Sequence, residues 1–161
     1  MTARLLASPM RVYRIGDADG KFPVWSAEGA RRYNGRWHEY GAEVIHASRN
    51  YSTAMLETLV NWPSPVPSNQ HFVEAVIPAG TSYEVVTADV LPGWERPNLA
   101  ASQRFGGDWY LERRSVLLFV PSVVARPESN VLINTRHPDY EGLGIEVGLE
   151  TPVWWDQRLF A

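Results

Sequence analysis

Three kinds of side chain in this sequence have the chemistry to act on a small charged molecule: clustered arginines, a carboxylate within a helical pattern, and a hydroxyl at a strand end. The arginines lie in Gly29-Ala30-Arg31-Arg32-Tyr33-Asn34-Gly35-Arg36-Trp37-His38, three of them within six residues, in a chain whose net charge is only −3. A guanidinium is a planar fork matched to paired phosphate or carboxylate oxygens, and glycine lets backbone approach a ligand closely. Aromatic faces can stack on a flat ring. The stretch reads as a pocket for a small anionic, ring-bearing molecule such as a nucleotide, although an exposed basic loop fits the same residues.

The carboxylate is Glu57, which sits among Thr53, Ala54, Val60 and Asn61 at helical spacing. It is either a solvated helix edge or, if that face meets a cleft, a group able to hold a sugar hydroxyl or steady positive charge. The hydroxyl is Ser122, directly after the apolar run Val116–Val120 and Pro121. The end of a central strand is a place where crevices form, and a turn serine bonding its own backbone is the plainer reading. No Gly-x-Ser-x-Gly elbow surrounds it, which argues against a hydrolase triad. The four histidines, His38, His46, His71 and His137, form no pair at metal-ligand spacing, so no metal site is expected. His46 lies between the arginine segment and the helix, where it either points into the same pocket or serves the core. The polar turn Asn134-Thr135-Arg136-His137-Pro138 brings several donors, and Asn134 joins the expected substrate contacts. No Walker or Rossmann glycine motif is present, so a nucleotide would be held by a different architecture.

The elements that must position these groups follow from periodicity. Arg11–Ile15 alternates as a short strand, and residues 1–10 before it read as a loose terminus to a single domain over 11–161. Glu43–Ala47 reads as a second strand. Ser52–Trp62 reads as a helix with Met55, Leu59 and Trp62 on one face and Leu56 and Val60 beside them, stopped by Pro63. His71–Ile77 and Ser82–Val86 are expected strands. Asn98–Arg114 is expected to be helical with a break at Gly106-Gly107. Val116–Val120 is apolar without alternation, as in a central strand covered on both faces. Asn130–Asn134 is a further strand, and Trp154-Trp155 is placed to pack the C-terminal segment back onto the domain. Strands outnumber helices without clean alternation, which points to an α+β domain.

Composition narrows the function classes. At 161 residues the chain is long enough to bury a real core. A mildly acidic balance is wrong for direct nucleic-acid binding, which rests on many basic contacts to phosphate. No apolar run approaches the roughly 20 residues that span a bilayer, and Leu5-Leu6-Ala7 is too short for a signal-peptide core, so cytoplasm is the expected compartment. With no cysteine there is no disulfide framework, thiolate nucleophile or zinc–thiolate site.

Taken in order, the pieces resemble the RES-domain family, named for its arginine, glutamate and serine. The landmarks are Val12-Tyr13-Arg14-Ile15, Gly35-Arg36-Trp37-His38, Val44–Ser48 and Ala54-Met55-Leu56-Glu57-Thr58-Leu59-Val60. They continue through Leu91-Pro92-Gly93-Trp94, Ser102–Gly106, Val120-Pro121-Ser122, Asn130–Asn134, His137-Pro138 and Trp155–Phe160. Each motif is weak alone, and their shared order from Arg11 to Phe160 makes the match specific. The resemblance implies a fold similar to the ADP-ribosyltransferase toxins, with a mixed or split β-sheet and flanking helices. It implies a toxin of a bacterial toxin–antitoxin pair, neutralised by an Xre-like antitoxin that also supplies DNA binding, with a homodimer plausible inside that complex. It further implies NAD as substrate rather than resident cofactor, broken down by hydrolysis or phosphorolysis, with ADP-ribosylation of a protein as the alternative.

Carried over residue by residue, the arginine falls on Arg36, the glutamate on Glu57 and the serine on Ser122. Arg31 is a second phosphate contact in this reading, and Tyr33, Trp37 and His46 are candidates to wall the nicotinamide ring. His46 stands where a tyrosine is expected, and Thr135 replaces a usual proline. Cleaving the nicotinamide–ribose bond builds an oxocarbenium-like cation; Glu57 is the group expected to stabilise it, Arg36 to clamp the diphosphate or ribose, and Ser122 to orient ribose or nicotinamide. A non-catalytic module using the same arginines would instead show saturable NAD binding without nicotinamide release.

Overall fold

The computed structural model describes residues 3–160. In chain order its elements are β1 (Arg4–Leu5), β2 (Met10–Asp17), α1 (Glu28–Arg32), β3 (Val44–Ser48), α2 (Tyr51–Asn61), β4 (Gln70–Ile77) and β5 (Ser82–Val85). Then follow α3 (Ala100–Glu112), β6 (Leu117–Pro121), β7 (Ser129–Asn134), β8 (Glu146–Val147), β9 (Thr151–Pro152) and a closing 3-10 turn over Gln157–Phe160. The result is a mixed, mostly antiparallel sheet with helices against it, the α+β class expected from the sequence. Strand order is β1-β5-β6-β7-β3-β2-β4-β8, with β9 also on β4; the β5–β6 pair alone among these runs parallel.

The apolar run at β6 is central because neither of its faces can be given to water. Alternation sends Leu117 and Phe119 to one side, where they meet Val131, Ile133, Ile45, Val12, Ala75 and Ile77. Leu118 and Val120 go to the other side, against Leu132, Val44, Trp37, Trp94 and Trp109. Fully burying such a side chain contributes roughly 1.5–3 kcal/mol, so this double-sided core is the main source of stability. The same alternation fixes the site. His46, Ser48 and Asn130 pair across the ladders with Leu132, Asn130 and Val120, and so lie on the face that α2 and α3 cover.

One junction in the sheet is thin. β2 pairs with β4 over eight positions but touches β3 through a single register pair, Tyr13↔Ser48. The sheet is therefore nearly split into two halves, β1-β5-β6-β7-β3 and β2-β4-β8, and the opening beside that one pair becomes a cleft.

Three local expectations are corrected. The terminus over residues 3–10 is not loose: Arg4–Leu5 pairs with Ser82–Tyr83, and Leu6 is buried and exchanges backbone bonds with Thr81 and Gly80. Met1 and Thr2 lie outside the described residues. Helix α3 runs unbroken through Gly106-Gly107 because Gly106 lies against Trp37, where a Cβ would stand 1.9 Å from the carbonyl oxygen. The buried residues of α2 are Thr53 and Ala54, whereas Leu56 and Val60 are exposed. Small side chains bring this helix close to the sheet, so its packing face is centred on Thr53 and Ala54, with the expected stripe Met55, Leu59 and Trp62 only half-buried. At the other end Trp155 is buried and Trp154 is exposed.

Candidate active site

Close approach of α2 decides where Glu57 points. Thr53 and Ala54 face the sheet, and Glu57 follows them at i+4 and i+3, so the same face carries its carboxylate inward. Its Oε1 accepts a hydrogen bond from Ser122 Oγ at 2.8 Å and another from Asn130 Nδ2 at 2.7 Å. Asn130 is itself oriented by Ser48, whose Oγ donates to Oδ1 at 2.7 Å. Ser122 is fully buried, accepts from the Ala125 amide at 3.1 Å, and donates its own amide to Glu128. The turn between β6 and β7 is tied in turn to the start of α2 by Asn50, which donates to the Glu128 carboxylate. Hydrogen bonds to a charged group contribute roughly 1.5–3 kcal/mol each. One oxygen of Glu57 is thus pinned by two donors, and Oε2 has no hydrogen-bond partner among the described residues.

Glu57 lines a cleft of about 730 Å³, within the roughly 300–1,000 Å³ usual for small-molecule sites. Tyr13, Arg14 and Ile15 of β2, and His46, Ala47 and Ser48 of β3, form its floor. Asn34–His38 forms one wall, while Val60, Trp62, Leu99 and Val123 close the far side.

Two arginines line this space. Arg36 Nη1 donates to the Trp94 and Arg96 carbonyls at 2.8 and 3.0 Å, which fixes the head group against a loop. Arg14 Nε donates to the Val24 carbonyl at 2.6 Å, and Nη1 donates to that of His46 at 2.8 Å. Burial lowers its pKa to about 10, so it remains a cation at neutral pH. Neither arginine forms an ion pair with a carboxylate among the described residues. A desolvated cation such as Arg14 is costly without a counter-charge, and two arginines around one cleft, neither paired with a carboxylate, are suited to an anionic ligand.

Aromatic and histidine groups complete the wall. Trp37 is buried and stacked on Trp94 with centroids 6.4 Å apart. His46 Nε2 lies 2.8 Å from His38 Nδ1, and His38 Nε2 lies 2.7 Å from the Tyr33 carbonyl. Gly35 is required here, because a Cβ would stand 2.3 Å from the His38 ring.

Arg36, Trp37, His46 and Glu57 therefore meet in one cleft, with Ser122 behind Glu57. Three expected contacts lie elsewhere. Arg31 falls in helix α1, where it pairs with Glu28 at 2.7 Å and does not line the cleft. Tyr33 is largely exposed and also outside the lining. Asn134 is buried, donates to the Tyr110 carbonyl and accepts from the Arg136 amide, so its polar atoms are engaged in holding its own turn. Arg14, Asn130 and Ser48 are site residues that sequence reading did not single out. The signal for Asn130 and Ser48 was strand alternation, which places polar side chains on a face otherwise apolar.

The model of the RES domain matches residues 11–156. The chain belongs to the RES-domain family. Two proteins named as toxins are similar to it in sequence. The Prs ADP-ribosylating toxin of Sphingobium sp. (strain YBL2) is 37% identical over 143 residues, covering 86% of this chain and 84% of that protein. Toxin Res of Pseudomonas putida (strain KT2440) is 35% identical over 140 residues, covering 84% and 92%. The fold is also that of a chain in the crystal structure of the M. tuberculosis MbcT–MbcA toxin–antitoxin complex, with a TM-score of 0.72 at 14% identity over 92% of this chain and 86% of that one. In this RES domain no described helix is long and apolar enough to cross a membrane.

Proposed function

We propose that this RES domain is a toxin that cleaves the nicotinamide–ribosyl bond of NAD. The observation that carries the reading is a half-bound carboxylate and two arginines without a carboxylate partner lining one cleft. NAD needs both signs of charge from its binder: a diphosphate to be neutralised, and an anomeric carbon that becomes cationic as its bond to nicotinamide breaks. Arg36 and Arg14 supply the first requirement and Glu57 the second.

In the step proposed, the C1′–N bond electrons leave with nicotinamide, which becomes neutral, and C1′ becomes oxocarbenium-like. Glu57 Oε2 accepts from a ribose hydroxyl and places negative charge beside C1′. An acceptor oxygen then bonds to C1′ and releases its proton to bulk water. Ser122 is a positioning residue in this scheme, because its hydroxyl is engaged by Glu57 and Ala125 and it does not line the cleft. Trp37 and His46 are placed to bound the nicotinamide end. NAD is a substrate here, with no resident cofactor invoked.

The acceptor is water or phosphate in the main reading. A protein side chain is the second reading, favoured by the likeness to a relative named as an ADP-ribosylating toxin. The proposed partner is an Xre-like antitoxin in the cytoplasm, supported by a structural neighbour solved as a toxin–antitoxin complex. The deciding experiment measures the NAD pool and free nicotinamide in bacterial cells minutes after induction, beside Glu57→Ala. Rapid NAD loss with the wild type alone supports NAD consumption, and growth arrest with NAD intact supports protein modification. Saturable NAD binding with no nicotinamide release would refute catalysis.

A further inference from the structure

The histidine pair in the cleft has a direction that its geometry determines. His38 Nε2 is 2.7 Å from the Tyr33 carbonyl oxygen, which can only accept, so this nitrogen carries a proton. In the neutral ring Nδ1 is then a lone-pair acceptor. The proton in the 2.8 Å contact between the rings must therefore belong to His46 Nε2. That leaves His46 Nδ1 with a lone pair and no hydrogen-bond partner among the described residues, on a side chain lining the cleft. Burial favours the neutral form of both rings: it depresses the pKa of His38 and, helped by His38 and Arg14, brings that of His46 to about 3.

We propose that Tyr33 C=O, His38 and His46 form a one-way hydrogen-bond chain that presents His46 Nδ1 as an acceptor for the carboxamide N–H of nicotinamide. The assignment rests on the NAD reading of the cleft. Ser48, which orients the Asn130–Glu57 pair, and His46 lie on the same face of β3 two residues apart, about 7 Å along the strand. His46 thus lines the cleft further along β3 than the position from which Glu57 is oriented, on the side where the proposal places the nicotinamide of a ribose held by Glu57. An acceptor there favours an amide and repels a carboxylate in the same place, so the chain of histidines sets specificity for NAD over its nicotinic acid analogue.

The test uses the full chain in two arms. In Glu57→Gln, made so that NAD persists, ¹⁵N spectra of the histidine rings should show both as neutral Nε2–H tautomers, and the His46 Nδ1 resonance should move when NAD is added. A His46 imidazolium, its Nδ1–H tautomer, or NAD-induced shifts that spare His46 Nδ1 would overturn the proposal. In the otherwise wild-type chain, His38→Leu should raise KM for NAD about tenfold with a much smaller change in kcat. The preference over the nicotinic acid analogue should narrow by a similar factor. His38→Gln can donate to Tyr33 and accept from His46, and should restore both values. An equal KM change for the two dinucleotides, or no rescue by glutamine, would also overturn it. Absence of both NAD-induced shifts and nicotinamide release would overturn the NAD reading itself, while the tautomers still report on the chain.

Discussion

Glu57→Gln isolates charge from shape more cleanly than truncation. The amide has the volume of the carboxylate, and its oxygen can stay where Oε1 accepts from Ser122 and Asn130 at 2.8 and 2.7 Å. Its NH₂ then faces the cleft as a donor where Oε2 was an acceptor. The two retained bonds lose their charge assistance, which makes them roughly half as strong. Against this, a partly buried charge is no longer desolvated. The net loss of stability is about 1 kcal/mol, equivalent to about 2–4 °C in Tm for a chain of this size. Transition-state stabilisation falls far more, because removing a preorganised group facing developing charge costs about 100- to 1,000-fold in rate, or about 2.7–4 kcal/mol. The assay is nicotinamide release from NAD by purified protein, with thermal unfolding measured in parallel. Activity within tenfold of wild type at an unchanged Tm would refute the electrostatic role assigned to Glu57. Loss of activity together with a collapse in Tm would refute the structural reasoning instead.

Three further outcomes are expected. Ser122→Ala removes one of two donors to Glu57 and should lower kcat about tenfold, consistent with a charge-assisted bond of roughly 1.5–3 kcal/mol, while KM for NAD changes little in steady-state kinetics. His46 is neutral in the fold with its pKa near 3, against 6.5 for the free side chain. The unfolded chain therefore binds more protons between those values, and this stabilisation is complete above pH 6.5 and is lost as pH falls. Urea unfolding should show about 2 kcal/mol less stability at pH 5 than at pH 7 from this ring, with a flatter profile in His46→Gln. Gly106→Ala would drive a methyl into the Trp37 carbonyl, 1.9 Å away. It should cost about 1–3 kcal/mol or more, read as a lower urea midpoint, and weaken NAD turnover by displacing the Trp37–His38 wall.

How much of this was legible varied with the range of the interaction. Residues that act through local periodicity were readable: β2, β3, α2, β4, β6 and β7 lie within a residue or two of their expected bounds. The run at β6 announced its two-sided burial by having no polar alternate. Glu57, by contrast, had two open readings until the family resemblance weighted one, because spacing alone does not say which helix face meets the sheet. The buried face of α2 was hidden for a related reason, since Thr53 and Ala54 pack by being small rather than by being strongly apolar. Arg31 was misplaced because α1 brings Glu28 within reach at i−3, a local pair that captures the guanidinium. Arg14 could not be recognised from its strand, because its importance depends on β2 and β3 sharing only one pair. The two-residue β1 is too short to show any period.

That single Tyr13↔Ser48 pair also has a mechanical meaning. A ladder resists opening through its many backbone bonds, and here nearly all of them are missing along one line across the molecule. Arg14 spans that line as a rivet: anchored on β2, it grips carbonyls from Val24 and from His46 on β3. A phosphate seated on Arg14 would bear on the same side chain that fastens the two halves. The stiffness of that joint and the positive charge offered to an anionic ligand are thus loaded onto one residue.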